Sequence, residues 1–457
     1  MPRHNDPRIS PWLAGLAAIF LAGTDAQAQT QTTAPPPAAQ TGPGVQPIDL
    51  PTTLRLAGAN NIDLALTREA LVQAQAQDDS ATLGFLPDLT GGLGYYKHNG
   101  AIQDVSGNVI DAYKQLHTLT GGLGSQVNLG DAIFQKLSAS RLETAAEYSL
   151  DAGRNVTLYV AASGYLDLVA ALADVKVAEE AVRISGDYKD QINRAVTIGI
   201  ANKSDALQVS VQAQNYQVAL RQARETAVAA AARLANILHV NPATQFAPAD
   251  ETVPQITLVP LETKLDSLLS EAFDKRPELK ASAASVEAAD WQKTGSIYGP
   301  LIPSVGAQAL YGNINGGRGG ALSNSGGSQD YGVMFNWRVG PGGLFDFSRI
   351  DYAQSKLEQS RLTDAKLHDD IGRQVVQGFE GVHSAFDQLQ LTKDNVTLAE
   401  QSLELSQGRR EFGVATVLEV IQAQKDLVQA RATYIKALTS YAEGQYALAA
   451  AIGRVSQ

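Results

Sequence analysis

No proline falls between Pro87 and Pro242 or after Pro341, and both proline-free runs are rich in Ala, Gln, Leu, Glu and Arg, the better helix formers. Within them, Asp131 to about Val196 and Asp346 to about Glu411 are each about 66 residues, or about 100 Å if helical throughout at 1.5 Å per residue. That is far longer than a globular helix and points to a coiled-coil-like assembly of long staves. The equal lengths suggest duplication, and an internal repeat is present. "NNIDLALTREALVQAQAQ" before "GFLPDL" aligns with "KRPELKASAASVEAADWQ" before "GPLIPSV", pairing Leu64 with Leu279 and Pro87 with Pro303. "IGIANKSDALQVSVQAQ" aligns with "FGVATVLEVIQAQKDLV", pairing Gly199 with Gly413 and Asp205 with Glu419. Each half reads as helix, strand, loop, strand, long helix, shorter helix.

The chain divides accordingly. Residues 1–28 have a basic start (Arg3, Arg8), an apolar run from Trp12 to Ala22 and the small-x-small pattern Ala26-Gln27-Ala28, which read as a secretory signal peptide. Residues 29–47 read as a disordered Pro/Gln/Thr-rich tether. Residues 48–240 form the first repeat, 241–261 a proline-bearing linker, and 262–457 the second repeat. Net charge is −11 and there is no cysteine, so disulfides and Cys-ligated metals are excluded. No basic stripe could neutralise phosphates, which argues against nucleic-acid binding. Beyond the leader no segment has 18 consecutive apolar residues, so entry into a membrane requires a β-barrel.

The strands alternate with period two. Leu119, Leu123 and Val127 share one face, Thr118, Thr120 and Gln126 the other; Val333, Phe335 and Trp337 alternate likewise in a strand read over Tyr331 to Val339. The hexapeptide "LTGGLG" occurs at Leu89 to Gly94 and again at Leu119 to Gly124, which predicts adjacent antiparallel strands with Leu89, Leu93, Leu119 and Leu123 facing lipid. Glycine costs roughly 0.5–1 kcal/mol against alanine within a strand or helix, so the copies belong to a wall that needs little side-chain bulk. "KHNGAIQDVSGNVIDAYKQ" and "NINGGRGGALSNSGGSQD" read as long polar loops at one end. Four strands cannot close a barrel, for which about eight is the working minimum, and open edges are not viable in lipid. Copies of the chain must therefore share one barrel: two give eight strands, and three give twelve with a passage. In the last helix, one seam runs through Leu418, Ile421, Lys425, Val428, Ala432 and Ile435, and a second through Val420, Gln424, Leu427, Arg431, Tyr434, Leu438 and Tyr441. Two seams suit a helix with a neighbour on each side; an ordinary bundle helix, with its wide apolar face, is the alternative.

The duplicated helix with its "FLPDL" or "LIPSV" strand entry, the "VGPGGLFDFSR" strand-to-helix junction and the "GVATVLEVIQAQ" turn-helix together resemble the outer-membrane factor, or TolC-like outer-membrane efflux, proteins over about residues 48 to 453. The resemblance implies a mainly α fold with a β-barrel part: a homotrimer with a shared 12-stranded outer-membrane barrel and a periplasmic α-barrel tunnel, in the outer membrane of a Gram-negative bacterium. It implies passive export from a periplasmic adaptor and an inner-membrane transporter, with outer-membrane lipid around the barrel. The duct of a type I protein secretion system is the alternative, and a periplasmic coiled-coil scaffold a more distant one. Adaptor-docking tips are implied at Gly199, Ile200 and Ala201 and at Gly413, Val414, Ala415 and Thr416. A periplasmic aperture is implied at Glu419, with Gln422 where a second acidic ring would stand, and at Asp205, whose gate-linking partners would be Arg409 or Arg410. A ring of carboxylates favours cations, whereas a first-turn Glu also serves the helix dipole alone.

No enzymatic constellation stands out. Glu380 and His383 have Glu-x-x-His spacing without the second pair a di-iron bundle needs, and there is no Walker A, dinucleotide loop or G-x-S-x-G. No cofactor is expected.

Overall fold

A computed structural model describes residues 45–318 and 324–454. The signal-peptide reading and the tether through residue 44 lie outside the described residues. The tether's last residues do not: β1 (Val45–Ile48) pairs in parallel with β4 (Gln245–Pro248) of the linker, so the two repeats begin from a common two-stranded anchor. Between them come α1 (Leu50–Asn60), α2 (Ile62–Leu83), β2 (Asp88–Gln103), β3 (Val109–Asn128), α3 (Leu129–Thr197) and α4 (Lys203–Ile237). The second repeat follows as α5 (Leu265–Lys275), α6 (Pro277–Tyr298), β5 (Ser304–Arg318), β6 (Asn324–Asn336), α7 (Phe347–Glu411) and α8 (Val417–Ala451). The duplication is exact in length at two places: α2 and α6 both have 22 residues, α4 and α8 both 35.

The long helices form as their composition dictates, 69 residues in α3 and 65 in α7. By length and composition α3 could cross a membrane, but its most apolar stretch, around Ala161 to Val169, is buried in the protein core. The main core joins both repeats through Tyr165, Leu166, Leu234, Leu268, Ile371, Val375, Tyr441 and Leu448. A second, smaller core around Tyr188, Ile192, Val209, Leu403, Val417, Val420 and Leu427 lies nearer the helix turns. The buried second-seam positions Val420, Gln424, Leu427, Leu438 and Tyr441 pack inside the protomer, whereas Leu418 of the first seam is exposed.

The linker crosses the helices in an extended path whose backbone is held by side chains. Fully buried Gln445 accepts from Leu258 N at 2.9 Å and Val259 N at 2.8 Å, and its amide donates to Tyr441 Oη at 3.2 Å. Gln445→Leu would strand the buried Val259 amide and the partly buried Leu258 amide, so a loss of about 2–4 kcal/mol is expected, seen as a lower thermal midpoint of the purified protein.

The four long strands form one antiparallel sheet in the order β2-β3-β5-β6. The two hexapeptides do pair, Leu89 with Leu123 and Leu93 with Leu119. The register puts Leu89, Leu93, Leu119, Leu123, Val305, Val333 and Phe335 on one face and Thr90, Thr118, Thr120, Gln308 and Asp330 on the other. Two sequence expectations are corrected. The segments read as loops are largely strand, with the β2–β3 turn confined to Asp104–Asn108, because polar residues continue the same backbone ladder beyond the apolar band. The last strand starts at Asn324 and ends at Asn336, so Trp337 lies just outside it and donates through Nε1 to Leu301 O at 3.3 Å. The chain leaves the sheet there because Gly340 and Gly342 take positive φ of 104° and 76° around Pro341, a turn that strand geometry cannot hold. Below that turn Arg349 binds Asp131 of the other repeat at 2.8 Å and Gly295 O at 3.1 Å, locking the sheet onto the helices.

Candidate functional site: the helix turns far from the sheet

The α3–α4 and α7–α8 turns are built alike. Gly199 and Gly413 follow the two long helices at φ of 81° and 74°, left-handed conformations that glycine adopts without a steric penalty. In each, two amides turn back: Gly199 N to Val196 O and Ile200 N to Ala195 O, then Gly413 N to Arg410 O and Val414 N to Arg409 O, at 2.9–3.1 Å. This double closure satisfies the orphan carbonyls of a helix end and makes a rigid reversal. It leaves Ile198, Ile200, Phe412 and Val414 exposed, while Ala415 is buried. Four exposed apolar side chains at the ends of two turns form a surface suited to a partner.

Thr416 caps α8, its Oγ1 accepting from Glu419 N at 3.2 Å, so Glu419 occupies the third helical position, where an acidic side chain favours the helix dipole. Its carboxylate does more than that: Arg409 Nη1 lies 3.2 Å from Glu419 Oε1 across the turn. Both groups are partly exposed, so the pair is worth at most about 1 kcal/mol. Gln422 donates to Asp426 Oδ1 at 2.8 Å within its own helix. Arg410 reaches Ala415 O at 3.5 Å.

Among the described residues of one protomer, Asp205 forms no ion pair with Arg409 or Arg410, and Arg409 is engaged by Glu419, the carboxylate across the tight turn. Asp205 sits in the first turn of α4 near Tyr188, a residue that sequence reasoning did not single out. The Tyr188 hydroxyl is pushed up from its ordinary value by burial, with Asp205 acting the same way and the neighbouring Arg410 guanidinium opposing them. No spacing rule could have found Tyr188, because its helix meets this site only through packing. The Arg409–Glu419 pair was within reach of the sequence, since the two flank Gly413 by four and six residues on antiparallel helices.

Residues 268–454 match the model of the outer membrane efflux protein family. The chain is 22% identical over 342 residues, 74% of its length and 73% of the relative's, to the outer membrane efflux protein BepC of Brucella suis biovar 1 (strain 1330). Its fold superposes on the outer-membrane channel OprN with a TM-score of 0.76 at 18% identity, over 88% of this chain and 89% of that one. The CmeC outer membrane channel of Campylobacter jejuni gives 0.74 at 16% identity over 89% and 85%, and the outer membrane protein VceC of Vibrio cholerae 0.73 at 19% over 88% and 96%. These channels share the combination of a helical tunnel and a β-barrel.

Proposed function

We propose, from the match of residues 268–454 to the outer membrane efflux protein family and the shared fold of outer-membrane channels, that the chain is an outer-membrane protein with a periplasmic helical tunnel and serves as the passive exit duct of a tripartite efflux system. Three copies share one twelve-stranded barrel, a periplasmic adaptor docks on the exposed tips at Gly199–Ala201 and Gly413–Thr416, and an inner-membrane transporter feeds the duct through that adaptor. The observation that carries this reading is the open four-stranded sheet. Its edges β2 and β6 are both unpaired among the described residues and run in opposite directions, so β6 of one copy can pair antiparallel with β2 of the next until the ring closes. The apolar face bearing Leu89, Leu123, Val333 and Phe335 then meets lipid, and the Thr- and Gln-bearing face lines the lumen. Crosslinking the protein in outer-membrane fractions tests this: a ladder ending at trimer is expected, and one ending at monomer or dimer overturns it.

The aperture follows the same logic. Glu419 provides the carboxylate of the tip ring and Arg409 offsets it. In planar bilayers, Arg409→Ala is expected to raise the cation-to-anion permeability ratio and Glu419→Gln to lower it, each by a few-fold, read as opposite shifts of the reversal potential. An unchanged potential in both variants removes Glu419 from the conducting path.

A further inference from the structure

The pairing of the four long strands advances one residue at a time on both partners, without a bulge, so even-numbered residues hold the Thr- and Gln-bearing face along the whole sheet. Toward the end far from the helices, His98 of β2 stands directly opposite Lys114 of β3 on that face. Arg318 of β5 holds the register position on the other side of Lys114. Like charges opposite one another weaken a sheet, so stability alone would set a carboxylate beside this lysine. None is there: among the described residues Lys114 is exposed and makes no ion pair, and its Nζ lies 5.9 Å from the centroid of the Tyr96 ring. Tyr96 in turn stacks on His98 at 6.5 Å, and His98 Nε2 is buried without a hydrogen-bond partner.

The acids that the strands place on this face are remote. Asp330 shares a row with Leu310, Gly122 and Thr90, and Gly122 is eight residues from Lys114 along β3, about 26 Å at 3.3 Å per residue. Asp88 lies one row farther still. With a Debye length of about 8 Å at physiological salt, neither neutralises Lys114. The intervening rows carry Gly92, Gly94, Gly312, Gly316 and Gly326, so few side chains stand between the bases and a molecule moving along this wall.

We propose that Lys114 and His98 form a basic collar that binds multivalent oxyanions, phosphate- or sulfate-bearing molecules, on the luminal face at the outward end of the barrel. Lys114 supplies three ammonium donors, and the unpartnered His98 nitrogen adds a hydrogen-bonding position beside them. The luminal placement and the threefold repetition of the collar rest on the duct reading. In that reading a carboxylate stands at the tip, at Glu419, and bases stand at the opposite mouth, so the duct ends in a site of opposite sign to the one it begins with.

Tripolyphosphate is the probe, titrated calorimetrically into the purified full-length protein in detergent at low ionic strength, where screening is least. Wild type is expected to bind it, Lys114→Gln to bind about tenfold more weakly, and Lys114→Arg to bind as wild type does. Lys97→Gln removes the same charge from the opposite face, where Lys97 stands across from Gln115, and is expected to leave the affinity unchanged. No binding by wild type, or equal losses in Lys114→Gln and Lys97→Gln, overturns the collar. In planar bilayers, tripolyphosphate added to each chamber in turn identifies the source of the oxyanion. Block from the tip side assigns the collar to molecules leaving through the duct, block from the mouth side alone to molecules arriving from outside, and conductance blocked from neither side overturns the luminal placement. Binding by a protein that forms no conducting pore rejects the duct and keeps the collar; a conducting wild type that binds no tripolyphosphate does the reverse.

Discussion

Replacing Leu398 and Leu405 with aspartate is expected to leave each protomer folded and to abolish the proposed trimer. Both leucines are exposed in the single chain, at 63% and 68%, and belong to a heptad stripe that runs Leu391, Leu398, Leu405, Phe412 along α7. Nothing in their own protomer covers them, so the substitutions cost little there. The packing order of the lower wall is α4–α3–α8–α7, which puts α4 and α7 at its two edges. The α4 edge carries a matching set of exposed residues, Leu207, Val211, Val218 and Val228. The two helices run in opposite directions from the tip, and Leu398 and Val218 both lie about 20 Å above it at 1.5 Å per residue. A ring that pairs β6 with the neighbour's β2 also brings these edges together. Burying each such side chain is worth roughly 1.5–3 kcal/mol, and a carboxylate placed there cannot be buried without a partner. In the proposed three-fold ring each substitution recurs in every seam. Crosslinking and light scattering read the result: a monomer with unchanged helical circular dichroism is expected. A surviving trimer would assign the stripe to another occupant, such as an adaptor helix. Because the chain has no cysteine, Leu398→Cys with Val218→Cys provides a clean positive test by disulfide trapping.

The architecture was legible where local chemistry repeats and illegible where it depends on packing. The spacing that pairs Leu64 with Leu279 places α2 and α6 at equal lengths, since the same helix formers and the same downstream proline bound both. Gly199 and Gly413 mark the helix ends because a left-handed residue is needed there, whatever surrounds it. The strand ends were misread because alternation of polar and apolar residues records the lipid band, while hydrogen bonding between strands continues into polar sequence. Trp337 fits the alternation of its strand and is nevertheless outside it, since the glycine turn that follows sets the boundary. At the tip, the sequence located Glu419, Asp205, Arg409 and Arg410 but did not indicate the Arg409–Glu419 pair. Which arginine meets which carboxylate is decided by distances across an antiparallel turn, and these depend on how tightly Gly413 closes it. The hydrogen bond from Ser163 Oγ to Glu443 Oε1 at 3.0 Å was invisible altogether: the two residues are 280 apart in sequence and adjacent only through the packing of α8 on α3.

The second large effect expected lies in the repeated hexapeptide itself. Gly122 of β3 stands opposite Thr90 in β2 and Leu310 in β5, at the pair of strands that joins the first repeat to the second. A Cβ at this position would lie 2.0 Å from Ala309 O and 2.9 Å from Leu310 Cα, and both obstacles are backbone. Backbone held in a ladder cannot yield without parting the strands, so Gly122→Ala is expected to break the β3–β5 pairing and, with it, ring closure. Gly312, facing β3 from the other side, is under the same constraint, with Leu119 O at 2.5 Å from the added atom. Gly91 of the first copy is the control, since a Cβ there meets nothing within 4 Å. The two variants make the same chemical change within the motif; they differ in face, Gly91 standing with Leu89 and Gly122 with Thr90, and in whether the neighbouring strand has room. Gly91→Ala should accumulate in outer-membrane fractions at the wild-type level, whereas Gly122→Ala and Gly312→Ala should be lost from them or remain unassembled. If Gly122→Ala assembled normally, the β3–β5 register would have to be abandoned, because in that register no rotamer exists that relieves a clash made by Cβ itself.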